Sequence, residues 1–271
     1  MKRRSSRPAG EHLESRALMA TFVVTSAAGA GPGTLRAAIN LSNQSPGADA
    51  IVFQVPSNAT ISVGNPPLPP ITGQVVIDGY TQAGSARNTS TDPAVNNARL
   101  GVELLAGGGS APLLQVNPRG SGSQIRGISF KNTGSHVDSG VAINQASNVT
   151  IDGNAFGANG QSRLGAAVKI TGGSRNTIGG DVAADPGRQN VMSMYTNGVE
   201  LSGPSSHNAV VGNIIGGVPA ESRAPLQEIG VWLKPSASNN TIIRNVMYRN
   251  IEAFRDESFG NVIEGNTIVP R

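Results

Sequence analysis

Short apolar stretches separated by Gly, Asn and Ser recur along the second half of the chain. Residues 208–216 read NAVVGNIIG, with asparagines five apart, and close relatives of this motif stand at 148–156, 240–248 and 261–269. A second motif, opened by a valine, runs in step with the first at 140–144, 167–171, 198–202 and 230–234. From each of these valines to the next central apolar residue of the first motif is 10 or 11 residues. This constant step indicates one structural unit repeated with connecting loops of different length.

Each motif alternates apolar and polar residues over three to five positions, which is the periodicity of a β-strand. Strands this short cannot bury a face alone, but they can when copies stack about 4.8 Å apart. The sequence therefore predicts an all-β chain wound as a single-stranded parallel β-helix. Its inward side chains would form three columns: Val141, Val168, Val199 and Val231; Ile125, Ile151, Ile178, Val210, Ile242 and Ile263; Phe130, Phe156, Ile215, Met247 and Ile268.

Four asparagines, Asn154, Asn213, Asn245 and Asn266, hold the same place in successive copies of the first motif. At a tight corner Asn tolerates left-handed backbone angles, and its amide can bond to the same Asn one turn away. We therefore predict an asparagine ladder and favour it over a role as glycan or metal ligands. Glycine precedes three of the four, but Arg244 precedes Asn245, so that corner is expected to differ.

Two segments fall outside the repeat. Residues 33–45 place Leu35, Ala38 and Ile39 on one helical face behind the candidate N-cap Thr34, which predicts a capping helix at the N-terminal end of the β-helix. Residues 80–99 lack apolar periodicity and are expected to form a long lateral loop, which is typically either functional or mobile.

The C-terminal end of the predicted stack has no comparable cover. The sequence stops at NTIVPR, directly after the inward Ile268. Since an unpaired β-edge invites further pairing, we expect either a frayed last turn or end-to-end self-association through it.

Composition adds a candidate leader to this picture. Net charge is +4, and residues 1–16 carry five basic and two acidic side chains, so the rest is nearly neutral. Residues 1–20 are expected to be a basic export segment, although TFVVTSA also alternates like a strand, and residues 21–271 the β-helix. The body has no basic stripe interleaved with aromatics, which argues against nucleic acid. It also has no apolar run of about 18 residues, so no integral membrane segment is expected.

The N-terminal region also resembles a known group. GPGTLRAAINLSNQSPGADAIVFQV (31–55) and LPPITGQVVIDGYTQAG (68–84) look like the opening of bacterial surface and secreted right-handed parallel β-helix proteins. The stretches NTIGG, RQNVMS and NAVVGNIIG resemble their repeats, and LESRALMA (13–20) is similar to a leader motif of many planctomycete exported proteins. The resemblance implies a right-handed, pectin lyase-like fold and an extracellular, cell-surface or periplasmic location. It implies no activity, because these proteins mostly lack an assigned reaction.

Candidate chemistry is sparse. The pectin hydrolase motifs Asn-Thr-Asp, Asp-Asp, Gly-His-Gly and Arg-Ile-Lys are absent, as is Asp-Pro-His of alginate epimerases. His12 lies in the leader, and His136 and His207 lie in polar segments and are expected at the surface. With no cysteine in the chain, thiolate metal sites are excluded, and no cofactor is expected. Asp181 and Asp185 share one loop and are weak calcium candidates.

The predicted register places one group of residues together on the outer face of the stack. The residues after the column valines, Ala142, Lys169, Glu200 and Trp232, would lie on successive turns. Lys169 and Glu200 would be neighbours about 4.8 Å apart, with Trp232 one turn further and Lys234 nearby. This patch is either a glycan-contact stripe, with the indole stacked on a sugar, or an ordinary ion pair beside a partly covered Trp.

The sequence therefore favours a non-catalytic extracellular or cell-surface scaffold that binds polysaccharide or a cell-envelope protein. The alternative is a polysaccharide lyase, glycoside hydrolase or epimerase with an unfamiliar site. A groove of clustered charged residues along one sheet would favour the enzyme.

Overall fold

The computed structural model of the chain describes residues 19–56, 60–107, 109–132, 137–157, 164–193, 195–216 and 228–269. The candidate leader, except for Met19 and Ala20, lies outside these ranges, and so do His12 and His136. No helix in the described ranges has the length and apolar character needed to cross a membrane.

Most of the described chain consists of short strands. The first twelve are β1 (Thr21–Val24), β2 (Asp49–Phe53), β3 (Thr60–Val63), β4 (Val75–Asp78), β5 (Val102–Ala106), β6 (Leu114–Val116), β7 (Gln124–Arg126), β8 (Ile128–Asn132), β9 (Ser139–Asn144), β10 (Thr150–Asp152), β11 (Ala155–Phe156) and β12 (Leu164–Ser174). The others are β13 (Thr177–Gly179), β14 (Val191–Met192), β15 (Tyr195–Ser206), β16 (Ala209–Val211), β17 (Ile214–Ile215), β18 (Ile229–Leu233), β19 (Thr241–Ile243), β20 (Val246–Tyr248), β21 (Glu252–Asp256), β22 (Val262–Glu264) and β23 (Thr267–Val269). One α-helix, α1 (Leu35–Gln44), and three short 3₁₀ helices, Gly79–Thr81, Pro118–Gly120 and Pro186–Arg188, complete the described elements.

The strands form three sheets in which all the strand pairs are parallel. The first sheet has the order β1-β2-β4-β7-β10-β13-β16-β19-β22, the second β3-β5-β8-β11-β14-β17-β20-β23, and the third β6-β9-β12-β15-β18-β21. From β4 onward the chain visits the first, second and third sheets in strict rotation. The result is a solenoid-like, all-β arrangement that is consistent with a parallel β-helix.

The three predicted inward columns are confirmed by the strand registers. In the third sheet Val141, Val168, Val199 and Val231 are successive partners, and all four are fully buried. The isoleucine column from Ile125 to Ile263 also pairs as predicted. In the second sheet Met192 fills the place between Phe156 and Ile215 that the sequence analysis left vacant.

Helix α1 forms as predicted, within one or two residues at either end. The Thr34 side chain accepts a hydrogen bond from the Ala37 N–H, which makes it the N-cap. Leu35, Ala38 and Ile39 are buried, and they belong to the same hydrophobic cluster as the strands.

The predicted asparagine ladder is present and has one more member than expected. In this ladder the Nδ2 of each asparagine donates a hydrogen bond to the Oδ1 of the next. The members are Asn154, Asn190, Asn213, Asn245 and Asn266, and the four successive bonds measure 3.2, 2.9, 2.9 and 3.0 Å. Asn190 does not stand out in the sequence because it follows a 3₁₀ helix rather than a Gly corner.

The expectation that the Arg244 corner differs is wrong. Its φ of 56° is close to the 65°, 65° and 62° of Gly153, Gly212 and Gly265. A non-glycine residue can adopt this left-handed conformation at a cost of roughly 1–2 kcal/mol. The Arg244 guanidinium also forms an ion pair with Asp181 at 2.5 Å.

A second ladder, which the sequence analysis did not predict, runs along the other end of the first-sheet strands. The backbone N–H of Asn176, Asn208 and Asn240 donates to Oδ1 of the next member at 2.9, 2.9 and 2.8 Å, ending at Asn261. The asparagines five apart in the repeated motif thus belong to two ladders, one at each end of a three-residue strand.

The segment 80–99 is attached to distant turns of the stack. The Tyr80 hydroxyl donates to the carbonyl of Gly153 at 2.7 Å, and Arg87 pairs with Asp185 at 2.9 Å. The buried Gln189 accepts hydrogen bonds from Asn88 and Asn96 and donates to the carbonyl of Pro93. The loop therefore spans several turns laterally.

The last turn carries a concentration of exposed apolar side chains. Strands β21, β22 and β23 each lie at the edge of their sheet. Four of the eight exposed large hydrophobic residues in the described ranges lie here: Ile251, Phe259, Val262 and Ile268. Ile268 is 59% exposed, whereas its partner one turn earlier, Met247, is 1% exposed.

Candidate functional site

The outer face of the third sheet brings together the residues predicted for the candidate site. Lys169 pairs with Ala142 on one side and with Glu200 on the other, and Glu200 pairs with Trp232. Arg255 continues this column beyond Trp232. Since their sequence neighbours lie in the core, strand alternation places these side chains on the outer face.

The charged partners differ from the expected Lys169–Glu200 pair. The Lys169 ammonium donates to Asp138 Oδ1 at 2.7 Å. Glu200 instead accepts from Lys234 Nζ at 2.8 Å and from Asn197 Nδ2 at 3.1 Å. Asp138 precedes β9 and Lys234 follows β18, so neither is a register partner of the residue that it contacts. The long side chains of Lys169 and Lys234 make these contacts across a turn.

The pKa of Lys169 lies above its ordinary value. Partial burial opposes the charged form, but the hydrogen bond to Asp138 and the charges of Asp138 and Glu200 outweigh it. Lys169 is therefore a stable cation rather than a candidate base at neutral pH.

Trp232 is partly buried and flanked by two cations. Lys234 Nζ lies 4.2 Å and the Arg255 guanidinium carbon 5.2 Å from the centre of its ring. Arg255 is also bound to Glu252 in the same strand. Part of the indole face is thus occupied by protein cations, an arrangement intermediate between the two interpretations offered by the sequence.

A second charged column, which sequence analysis did not predict, lies on the outer face of the first sheet. Asp78, Arg126 and Asp152 are successive register partners. Arg126 donates to Asp78 at 2.7 Å, and Asp152 accepts from Arg188 at 3.2 Å and from Gln124 at 3.0 Å. The signal was available for Arg126 and Asp152, because they directly follow the predicted inward residues Ile125 and Ile151 in the same way that Lys169 follows Val168, but not for Asp78.

Burial and hydrogen bonding raise the pKa values of several groups in and beside this second column. Desolvation raises the pKa of Asp152, and the hydrogen bond from Gln124 and the charge of Arg188 partly offset the rise. Burial also raises the pKa of the neighbouring Tyr80 to about 12. The pKa of Arg126 is raised by its hydrogen bond to Asp78.

The two calcium candidates are both engaged by arginines. Asp181 pairs with Arg244 and Asp185 with Arg87, and Asp185 also caps a 3₁₀ helix through the Gly187 N–H. In the described ranges, no group of three or more His, Cys, Asp and Glu residues is placed to hold a metal. His207 is exposed, as predicted, at a corner of the second ladder.

Comparison with known proteins does not assign a function to the chain. No family model matches the chain, and no curated protein matches it. Among solved structures it is similar to ORF18 of Geobacillus virus E2, with 15% identity over 92% of this chain and 57% of that chain, at a TM-score of 0.38. The chain thus spans little more than half the length of that protein. At this TM-score the likeness identifies neither a fold nor an activity for the present chain.

Proposed function

We propose that the protein is an exported, right-handed β-helix scaffold of the cell surface, periplasm or medium, with α1 as its N-terminal cap. Its third-sheet outer face contacts polysaccharide. The observation that carries this proposal is the in-register column Lys169–Glu200–Trp232–Arg255. Such a column places an aromatic ring and several hydrogen-bonding groups in line on one sheet face, and we take this alignment as support for an extended polymer as the ligand.

The ion pairs of this face favour binding over catalysis. Asp138 is bound to Lys169, Glu200 to Lys234, and Glu252 to Arg255. Hydrolysis of a glycoside requires one carboxyl group as acid and a second as base or nucleophile. On this face each of these three carboxylates is already paired with a cation, so a sugar would have to displace a lysine or an arginine before reaching it.

Replacing Trp232 tests the proposed face. We expect affinity electrophoresis through gels containing neutral or acidic polysaccharides to retard the wild-type protein, and Trp232→Ala to bind about tenfold more weakly, the cost typical of truncating a central aromatic contact. Phe259→Ala is the matched control, because Phe259 is a surface aromatic, 73% exposed, outside this face. Equal retardation of wild type and Trp232→Ala would remove the third-sheet face from the proposal.

The first-sheet column supports a second candidate, a carbohydrate-active lyase, hydrolase or epimerase. It has the clustered acidic and basic side chains that an enzyme groove would show, and it contains a buried carboxyl group, Asp152, whose pKa is raised by desolvation. Incubating purified protein with the same polysaccharides and assaying reducing ends, unsaturated products and epimerised residues tests this candidate. A product that disappears in Asp152→Asn, and not in the Trp232→Ala control, would establish it over the scaffold.

End-to-end association of two copies is the proposed partner interaction. The exposed Ile268 and Val262 lie on the outermost strands of their sheets within the described residues, and burying them against a second copy would remove apolar surface from water. We expect light scattering to give a concentration-dependent dimer that Ile268→Lys converts to monomer. Val95→Lys, a comparable change in the lateral loop, should leave the dimer intact. A wild-type protein that is monomeric at every concentration contradicts this proposal.

A further inference from the structure

Four side chains of the third-sheet face form one connected group, here called the Glu200 cluster: Asn197, Glu200, Trp232 and Lys234. Asn197 and Lys234 both donate to the Glu200 carboxylate, at 3.1 and 2.8 Å. Lys234 also contacts the indole of Trp232, with its Nζ 4.2 Å from the centre of the ring. The cluster is therefore continuous from β15 to the end of β18.

Two buried polar atoms of this cluster have no hydrogen-bond partner in the described part of the chain. They are the acceptor Oδ1 of Asn197 and the donor Nε1 of Trp232. Asn197 is only 5% exposed, so solvent does not satisfy its oxygen. Leaving such groups unpaired is unfavourable, and buried polar atoms in native proteins nearly always have partners. A ligand that supplies one donor and one acceptor would relieve both deficits.

The charges of the face select the kind of ligand. Glu200 is neutralised by Lys234, and the neighbouring cations Lys169 and Arg255 are neutralised by Asp138 and Glu252. An acidic polymer would have to compete with these carboxylates for each cation. A sugar hydroxyl both donates and accepts a hydrogen bond and carries no charge, so it matches the two unpaired atoms.

We infer that the Glu200 cluster is a subsite for the hydroxyl groups of a neutral glycan, in which Asn197 Oδ1 accepts a hydrogen bond from the sugar and Trp232 Nε1 donates one to it. This inference rests on the proposed function and refines the role of Trp232. The indole recognises the sugar through its N–H edge, because Lys234 and Arg255 occupy its face. Both atoms are buried, so a sugar reaches them only when a neighbouring side chain moves.

Trp232→Phe separates the N–H edge from the ring. Phenylalanine keeps an aromatic ring beside Lys234 but has no N–H. We expect wild type to be retarded in gels containing dextran, soluble starch or hydroxyethyl cellulose more than in gels containing polygalacturonate or alginate. Trp232→Phe and Trp232→Ala should both bind about tenfold more weakly, the effect of losing one hydrogen bond to the ligand. Phe259→Ala should bind as wild type, and thermal unfolding checks that each variant is folded.

The outcomes distinguish this inference from the proposed function. If Trp232→Phe binds as wild type while Trp232→Ala is weakened, the ring rather than the N–H makes the contact and the inference falls alone. Preference for the acidic polymers overturns the neutral class but keeps the binding face. If no gel retards the wild type, both proposals fail. Trp232 is the only tryptophan, so its emission should also shift when the retarding polysaccharide is added, and unchanged emission contradicts direct contact.

Discussion

Asn213→Ala is expected to lower the free energy of unfolding by about 3–5 kcal/mol, the largest effect of any single change considered for this chain. Asn213 is fully buried. Its Nδ2 donates to the carbonyls of Ile178 and Val211 at 2.9 and 3.1 Å and to Asn245 Oδ1 at 2.9 Å, and its Oδ1 accepts from Asn190 at 2.9 Å. Alanine would leave several of these buried groups unsatisfied and interrupt the ladder in the middle. Equilibrium unfolding in urea measures the loss.

The matched control is Asn266→Ala, at the end of the same ladder. Asn266 makes the corresponding bonds to the carbonyls of Ile242 and Glu264, at 2.8 and 3.1 Å, but it is only partly buried and water can replace them. We expect a loss of about 1 kcal/mol. Equal losses at the two positions would mean that the ladder does not stabilise the stack through burial of its amides.

The inward columns could be predicted from sequence because two local signals coincide. Alternation fixes which residues of a short strand face inward, and the constant step between motifs fixes which strands are neighbours. The register of Lys169, Glu200 and Trp232 followed directly, since each is the residue after a column valine. Met192 was missed because residues 180–190, which include a 3₁₀ helix, separate its strand, Val191–Met192, from the strand of Ile178. Phe156 and Ile215 instead follow Ile151 and Val210 by five residues.

Side-chain partners could not be predicted in the same way. Glu200 had Lys169 as its register neighbour but pairs with Lys234, because a long flexible side chain can reach across a turn. The choice depends on burial and on the competing Asp138, neither of which is visible in a repeat pattern. Likewise, Asp78 and Asp152 are 74 residues apart, and their common column depended on recognising β4 as part of the stack, where the repeated motif is weak.

Gln189→Ala is expected to have the second-largest effect, a loss of about 2–4 kcal/mol in unfolding free energy and release of the lateral loop. Gln189 is 1% exposed. Its Nε2 donates to the Pro93 carbonyl at 2.8 Å, and its Oε1 accepts from Asn88 and Asn96 at 3.3 and 3.1 Å. Alanine removes all three bonds and the buried side chain that makes them, while Asn88 keeps its hydrogen bond to the Pro186 carbonyl at 3.2 Å. Since this glutamine holds both halves of the segment 80–99, limited proteolysis should then cut within that segment at protease concentrations that leave the wild type intact.

Arg87→Ala provides the contrast, because it removes a connection between the same two segments that is exposed to water. The Arg87–Asp185 pair is 43% exposed on each side, and surface ion pairs contribute under about 1 kcal/mol. Its loss should leave both the unfolding midpoint and the protease resistance of the loop nearly unchanged. Should Arg87→Ala release the loop as readily as Gln189→Ala, charge attraction rather than the buried amide would be what holds it. Protection of the loop in both variants would show instead that the remaining contacts, such as the Tyr80 hydroxyl on Gly153, are sufficient by themselves.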